Sequence, residues 1–172
     1  MRKTNNNGLT LMELIVVVAI MAVLVGTTVI GIGILSSGDA EKASKNIRSV
    51  LNEVRTDTLS IQADWSAKIH NDDGTYTIAV YRDGEEYDTI DLGYRIDIFY
   101  GDGREAIEDG DELTISYRQS SGAVKKITIS KKGAEAQDIA EDTSEFKITV
   151  SNSGSDFVLT LWKETGKITS GD

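Results

Sequence analysis

Residues 8–35 read GLTLMELIVVVAIMAVLVGTTVIGIGIL, and the reading of this stretch decides what the rest of the chain must be. Positions 14–35 are 22 residues without a single charge. As a helix they extend about 33 Å at about 1.5 Å per residue, enough to cross a hydrocarbon layer about 30 Å thick. An ordinary secretory signal has an apolar region of about 7–15 residues that closes on a small-residue cleavage site, so this run is too long for one. Arg2 and Lys3 precede it, and the positive-inside bias keeps them in the cytoplasm while the polar remainder is exported. The stretch predicts a transmembrane helix that anchors everything after it.

Glu13 is the anomaly in that anchor. A carboxylate at the head of an apolar helix is costly unless it meets a cation. Cutting the chain after Gly8 creates one, because the new amino group of Leu9 then lies four residues from Glu13 at the same end of the helix. The positive end of the helix macrodipole opposes a free amine, and a neighbouring acid relieves both charges. The pair can close within one chain or between stacked chains.

Composition narrows the function of the remainder. Lys and Arg total 18 against 28 Asp and Glu, a net charge of −10, so no broad phosphate-neutralising surface and no nucleic-acid partner are expected. The absence of Cys removes disulfides, thiolate zinc sites and cysteine nucleophiles together. One histidine, His70, excludes multi-histidine metal sites and leaves little material for a hydroxyl nucleophile with its base. The chain is therefore expected not to be an enzyme and to need no cofactor. Two Trp, six Tyr and three Phe all lie beyond residue 64, so a mixed core can form only in the C-terminal part.

That part opens with a second helical pattern. After the polar interruption Ser36-Ser37-Gly38-Asp39, apolar residues recur at Ile47, Val50, Leu51, Val54, Ile61 and Trp65, joined by Thr58, at helical spacing. Lys45, Arg48, Asn52, Arg55 and Gln62 occupy the other face, so residues 39–65 are expected to be an amphipathic helix docked on a sheet. From Tyr76 the period becomes alternating, which predicts strands at 76–81, 87–92, 94–100, 113–118, 125–130, 145–151 and 157–163, with a short one at 167–169. Turn signals at 72–74, 82–84, 120–122 and 152–155 imply antiparallel hairpins. His70 reads as a surface residue near the end of the arm, and residues 132–143 as a loop or one short helix carrying Ala134, Ala136, Ile139 and Ala140. The expected fold class is α+β, a long N-terminal helix with a membrane half and an amphipathic half, packed on an antiparallel β-sheet domain.

Residues Gly8-Leu9-Thr10-Leu11-Met12-Glu13-Leu14 resemble the prepilin processing motif of type IV pilins and type II secretion pseudopilins. A short basic leader, Gly before the cut, an acid as the fifth residue after it and about twenty apolar residues coincide in one place. The resemblance implies a pilin-like fold with residues 1–8 as leader, 9–35 as transmembrane and assembly helix, and 36–172 as the exported domain. It implies a membrane prepilin peptidase that removes the leader and methylates Leu9, and a Glu13 that pairs with the terminal amine of a neighbouring subunit to set register. Other pilin subunits are the implied partners, with a cytoplasmic assembly ATPase and a platform protein acting indirectly. The implied location is the cytoplasmic membrane, with the C-terminal domain exported, then an extracellular or periplasmic filament. Two features depart from the pattern: Leu9 stands where Phe is usual, and the apolar half has no Pro. Gly26, Gly31 and Gly33 offer local softening or close helix packing in its place. The alternative from a different class is a monomeric, signal-anchored extracellular binding domain that does not polymerise.

Two charged features remain. Residues 101–112 hold Asp102, Glu105, Glu108, Asp109, Asp111 and Glu112, and oxygen ligands of this kind suit calcium, with Asp102, Asp109 and Asp111 the candidates. The stretch lacks EF-hand spacing and carries Arg104, so a solvated acidic loop is the default expectation. The pairs Lys125-Lys126 and Lys131-Lys132 flank a strand and either meet acidic loops on neighbouring subunits or keep an exposed edge soluble.

Overall fold

The structure, a computed structural model, describes residues 11–140 and 143–171; the side chains at 11, 13 and 21–38 lie outside the described residues. Helix α1 spans Leu11–Ser60, and the chain divides into two units, Met1–Leu35 and Ser36–Asp172.

In the second unit Ala40, Ala43, Ile47, Val50, Leu51 and Val54 form a buried stripe at three- and four-residue steps, as an amphipathic helix requires. Thr58 joins it without cost from its hydroxyl, which donates to the Val54 carbonyl at 2.7 Å. On the outer face Lys45 reaches Glu41 at 2.6 Å. The helix stops at Ser60, so the arm expected to run to Trp65 is five residues too long. Ile61 is 41% exposed, and Trp65 opens the first strand. The four-residue step from Ile61 to Trp65 imitates one more helical turn.

Eleven strands follow: β1 Trp65–Asp72, β2 Thr75–Arg82, β3 Glu85–Gly93, β4 Asp97–Tyr100, β5 Glu105–Ala106, β6 Glu112–Tyr117, β7 Val124–Ser130, β8 Gln137–Asp138, β9 Glu145–Asn152, β10 Ser155–Trp162 and β11 Lys167–Ser170. They make two antiparallel sheets, in the order β3-β2-β1-β6-β7-β8 and β11-β10-β9-β4-β5. The hairpins at Asp73-Gly74, Asp83-Gly84 and Ser153-Gly154 each place two successive residues at positive φ, the type I′ geometry that matches the twist of the flanking strands.

One face of each long strand points inward. Ile69, Ile78, Leu113, Ile115 and Ile127 of the first sheet meet Ile98, Ile148, Val150, Leu159 and Leu161 of the second in a single core that includes the α1 stripe. The sheets are also joined by backbone: Val124 N–H of β7 donates to the carbonyl of Lys163, the residue after β10, at 2.8 Å.

Other expectations are corrected here. The strand expected at 94–100 begins only at Asp97, and Tyr94 is 67% exposed. Of the two readings of residues 132–143, the described ones follow the loop: residues 131–138 are exposed and contain the two-residue strand β8, while Ile139 packs against the core and its N–H donates to the Ile127 carbonyl at 2.9 Å. His70 belongs to β1, half-buried.

Candidate functional site

Gly8 and Leu9 lie outside the described residues, as does the side chain of Glu13. The described start of α1 is nevertheless informative. Met12, Leu14, Ile15, Val16, Val17, Val18 and Ile20 are all between 46% and 76% exposed. Five consecutive exposed apolar residues, 14–18, go more than once around a helix, so the surface is hydrophobic on every side rather than along one stripe. Such a helix is stable only in lipid or among other helices. Among the described residues no helix is long and apolar enough to cross a membrane; most of the run 14–35 falls at 21–38, outside the described side chains.

The acidic stretch is built into the fold by cations and backbone donors. Lys147 on β9 reaches Asp102 at 2.9 Å and Glu145 at 3.4 Å. Lys132 reaches Asp109 at 2.6 Å, and Asp73 N–H donates to the other Asp109 oxygen at 2.8 Å. Asp111 is buried; its carboxylate accepts from the backbone N–H groups of Lys132 and Glu108, each at 3.2 Å. Its carbonyl accepts from Asn71 N–H at 3.3 Å and lies 3.1 Å from His70 Nδ1. Asn71 closes the knot by donating from Nδ2 to the Ile107 carbonyl at 2.8 Å.

The structure thus brings Asp109 and Asp111 together around Lys132 and leaves Asp102 on a separate cation. Among the described residues no group of three or more acidic or histidine side chains is arranged to hold a metal. The Lys132 ammonium, followed by the Asp73 N–H, holds the Asp109 carboxyl below its ordinary 3.8. Reciprocally, Asp109 raises the Lys132 ammonium, and Asp102 followed by Glu145 raises that of Lys147. What this arrangement does chemically is fasten the β1–β2 turn to the segments before β6 and after β7.

A second knot was not singled out by its sequence. Arg55 of α1 donates from Nε to the Thr165 carbonyl at 2.9 Å and to the Gly122 carbonyl at 3.2 Å. One guanidinium thereby pins a turn of each sheet to the helix. The only advance signals were Gly122 and Gly166, which sit in those turns at φ +67° and +64°.

Residues 3–29 match the family model described as the prokaryotic N-terminal methylation motif. No curated protein matches the chain. Among solved structures the chain is similar to the type IV minor pilin FimU of Pseudomonas aeruginosa strain PAO1, with a TM-score of 0.50 and 13% sequence identity over 79% of this chain and 90% of that one. At that identity the likeness speaks for the fold, while the motif independently covers Gly8, Leu9 and Glu13.

Proposed function

We propose that this chain, which joins an N-terminal methylation motif to a pilin fold and so belongs with the type IV pilin family, is a structural subunit of a type IV pilus or a type II secretion-like filament. The observation that carries the reading is a helix start that is apolar on all sides and bears one carboxylate, Glu13, inside the matched motif. Prepilin peptidase cuts after Gly8 and methylates Leu9. Loss of Arg2 and Lys3 takes the charge from 18 − 28 to 16 − 28, or −12.

In the membrane the helix is satisfied by lipid. In the filament it exchanges lipid for neighbouring helices, and the Glu13 carboxylate meets the terminal amine of Leu9 on an adjacent subunit, which fixes axial register because any other stagger strands a charge in hydrocarbon. Homo- or hetero-filament contacts with other pilin subunits are its working interactions, and an assembly ATPase with its platform protein supplies the extraction work. The part beyond residue 35 is the exported domain. The carboxylates of Asp102, Asp109 and Asp111 act as structural anchors for Lys147 and Lys132 rather than as calcium ligands, supported by the contacts each already makes.

Intact-mass and N-terminal analysis of the protein from its native host tests this. A mature chain starting at methylated Leu9, and loss of filaments with Glu13→Ala, are expected. Retention of residues 1–8 with no filament in the native strain instead identifies a monomeric signal-anchored binding domain.

A further inference from the structure

Strand β3 is a free edge of the six-stranded sheet, and its sequence is Glu85-Glu86-Tyr87-Asp88-Thr89-Ile90-Asp91-Leu92-Gly93. Glu85, Glu86, Asp88 and Asp91 are exposed, and none of them makes an ion pair with a Lys or Arg among the described residues. Among the described residues these carboxylates accept hydrogen bonds from β3 itself and from the neighbouring strand: Glu86 from Thr89 and from the Tyr81 hydroxyl, Asp88 from Thr89 N–H, and Asp91 from Gly93 N–H. Near the opposite edge of the same sheet, the residue that follows β6 and the first half of β7 carry the reverse charge. Arg118 and Lys126 are exposed and without an ion-pair partner among the described residues, and Lys125 holds only a loose pair to Asp64, 3.5 Å long with both side chains more than half exposed. Pairs of that kind contribute little within a chain and remain available to others.

We infer that the acidic β3 edge of one copy docks on the Arg118–Lys125–Lys126 end of the same sheet in a second copy, as a lateral contact between exported domains. The inference rests on the filament reading above. Three arguments carry it. Two mature copies at −12 each repel, so contact is favourable only where opposite charges are juxtaposed, and this sheet supplies both signs at its two ends. An edge of four unpaired carboxylates refuses its own image in a neighbour, which blocks symmetric edge-to-edge pairing and leaves a cationic surface as the fitting occupant. Finally, a contact between two different surfaces is not satisfied in a two-fold dimer and propagates from copy to copy, which is the kind of contact a filament requires.

The contact can be read chemically. Between β3 and β7 lie β2, β1 and β6, so the two charged ends of one chain are about 19 Å apart at about 4.8 Å per strand. A carbodiimide, which joins a carboxylate directly to an amine, cannot bridge that distance within a chain. Treatment of sheared native filaments followed by peptide mass spectrometry is expected to give β3 peptides joined to peptides containing Lys125 or Lys126. The double substitution Glu86→Lys, Asp88→Lys is expected to cut filament yield about tenfold, and adding Arg118→Glu, Lys126→Glu is expected to restore it. Recovery also shows that the reversed edge folds. Undiminished filaments from the reversed β3 edge overturn the contact, as do β3 cross-links that go only to a different protein or to other lysines. A native chain that forms no filament and keeps residues 1–8 overturns the subunit reading beneath it, a distinguishable failure.

Discussion

Lys132 is a residue with three attachments. Its ammonium sits on Asp109, its N–H on Asp111, and its stem packs so closely over Gly110 that a Cβ there would meet it at 2.8 Å. The pH dependence follows from the directions of the shifts. Asp109 is lowered in the folded chain, so its contribution is complete above 3.8 and is lost as pH falls through the lowered value. Lys132 is raised, so its contribution is complete below 10.5 and is lost as pH rises through the raised value. Lys132→Met is therefore expected to be less stable than the native chain by a constant margin between about pH 5 and 9, narrowing towards strong acid and strong base; urea titrations in detergent at pH 3, 7 and 11 check it, and a margin undiminished at pH 3 refutes the assignment. Tyr117 makes the opposite case. Its buried hydroxyl has no partner among the described residues, and burial raises its ionisation, so Tyr117→Phe should leave the melting temperature unchanged or higher. At this scale Gly8, Leu9 and Glu13 stand out in the sequence by type and position, and they fall within the stretch that matches the methylation-motif family model. The sequence did not expose the partners of the acidic loop, because Lys132 and Lys147 lie 23 and 45 residues from the carboxylates they bind.

Between elements, the Arg55 clamp adds a polar tie between α1 and a turn of each sheet to the core they share. Arg55→Ala removes a charged donor from two carbonyls and is expected to cost about 1.5–3 kcal/mol, read as a lower urea midpoint. Gly166→Ala tests the same knot from the other side. Gly166 is at φ +64°, and a Cβ there collides with the Gly122 carbonyl oxygen, so a loss of about 1–3 kcal/mol is expected in the same titration. Long elements were legible from their periods: the buried stripe of the arm, and the alternation in β2, β6, β7, β9 and β10. Strand β1 was not, because its inward positions are Trp65, Ala67, Ile69 and Asn71, and small or polar residues at two of the four erase the contrast that alternation needs. Strands β5 and β8 have two residues each, too few to carry any period. Tyr94 reads as a strand aromatic by composition, yet it stands in solvent with Arg95 over its ring at 5.2 Å.

For the unit Ser36–Asp172 as a whole, a single core means that damage on the helix is felt by both sheets. Leu51→Ala, at a fully buried position, is expected to cost about 2–5 kcal/mol and to move every probe of tertiary structure together in one transition; separate transitions for the two sheets would contradict a shared core. That two sheets exist was not legible from order alone. Hairpins gave neighbours such as β9 with β10, but the pairing of β1 with β6 and of β4 with β9 joins segments distant in sequence, and local turn chemistry does not specify such matches. The loop after β7 has a practical consequence. Its eight exposed residues, 131–138, are held at Lys132 and at the two-residue strand β8, so a short epitope spliced between Ala134 and Glu135, which lie between those attachments, should be displayed outward without disturbing the sheet beneath. Antibody gold on intact cells would then count and locate this chain along any fibre it enters, giving a microscopist a handle where the native surface offers no cysteine to label.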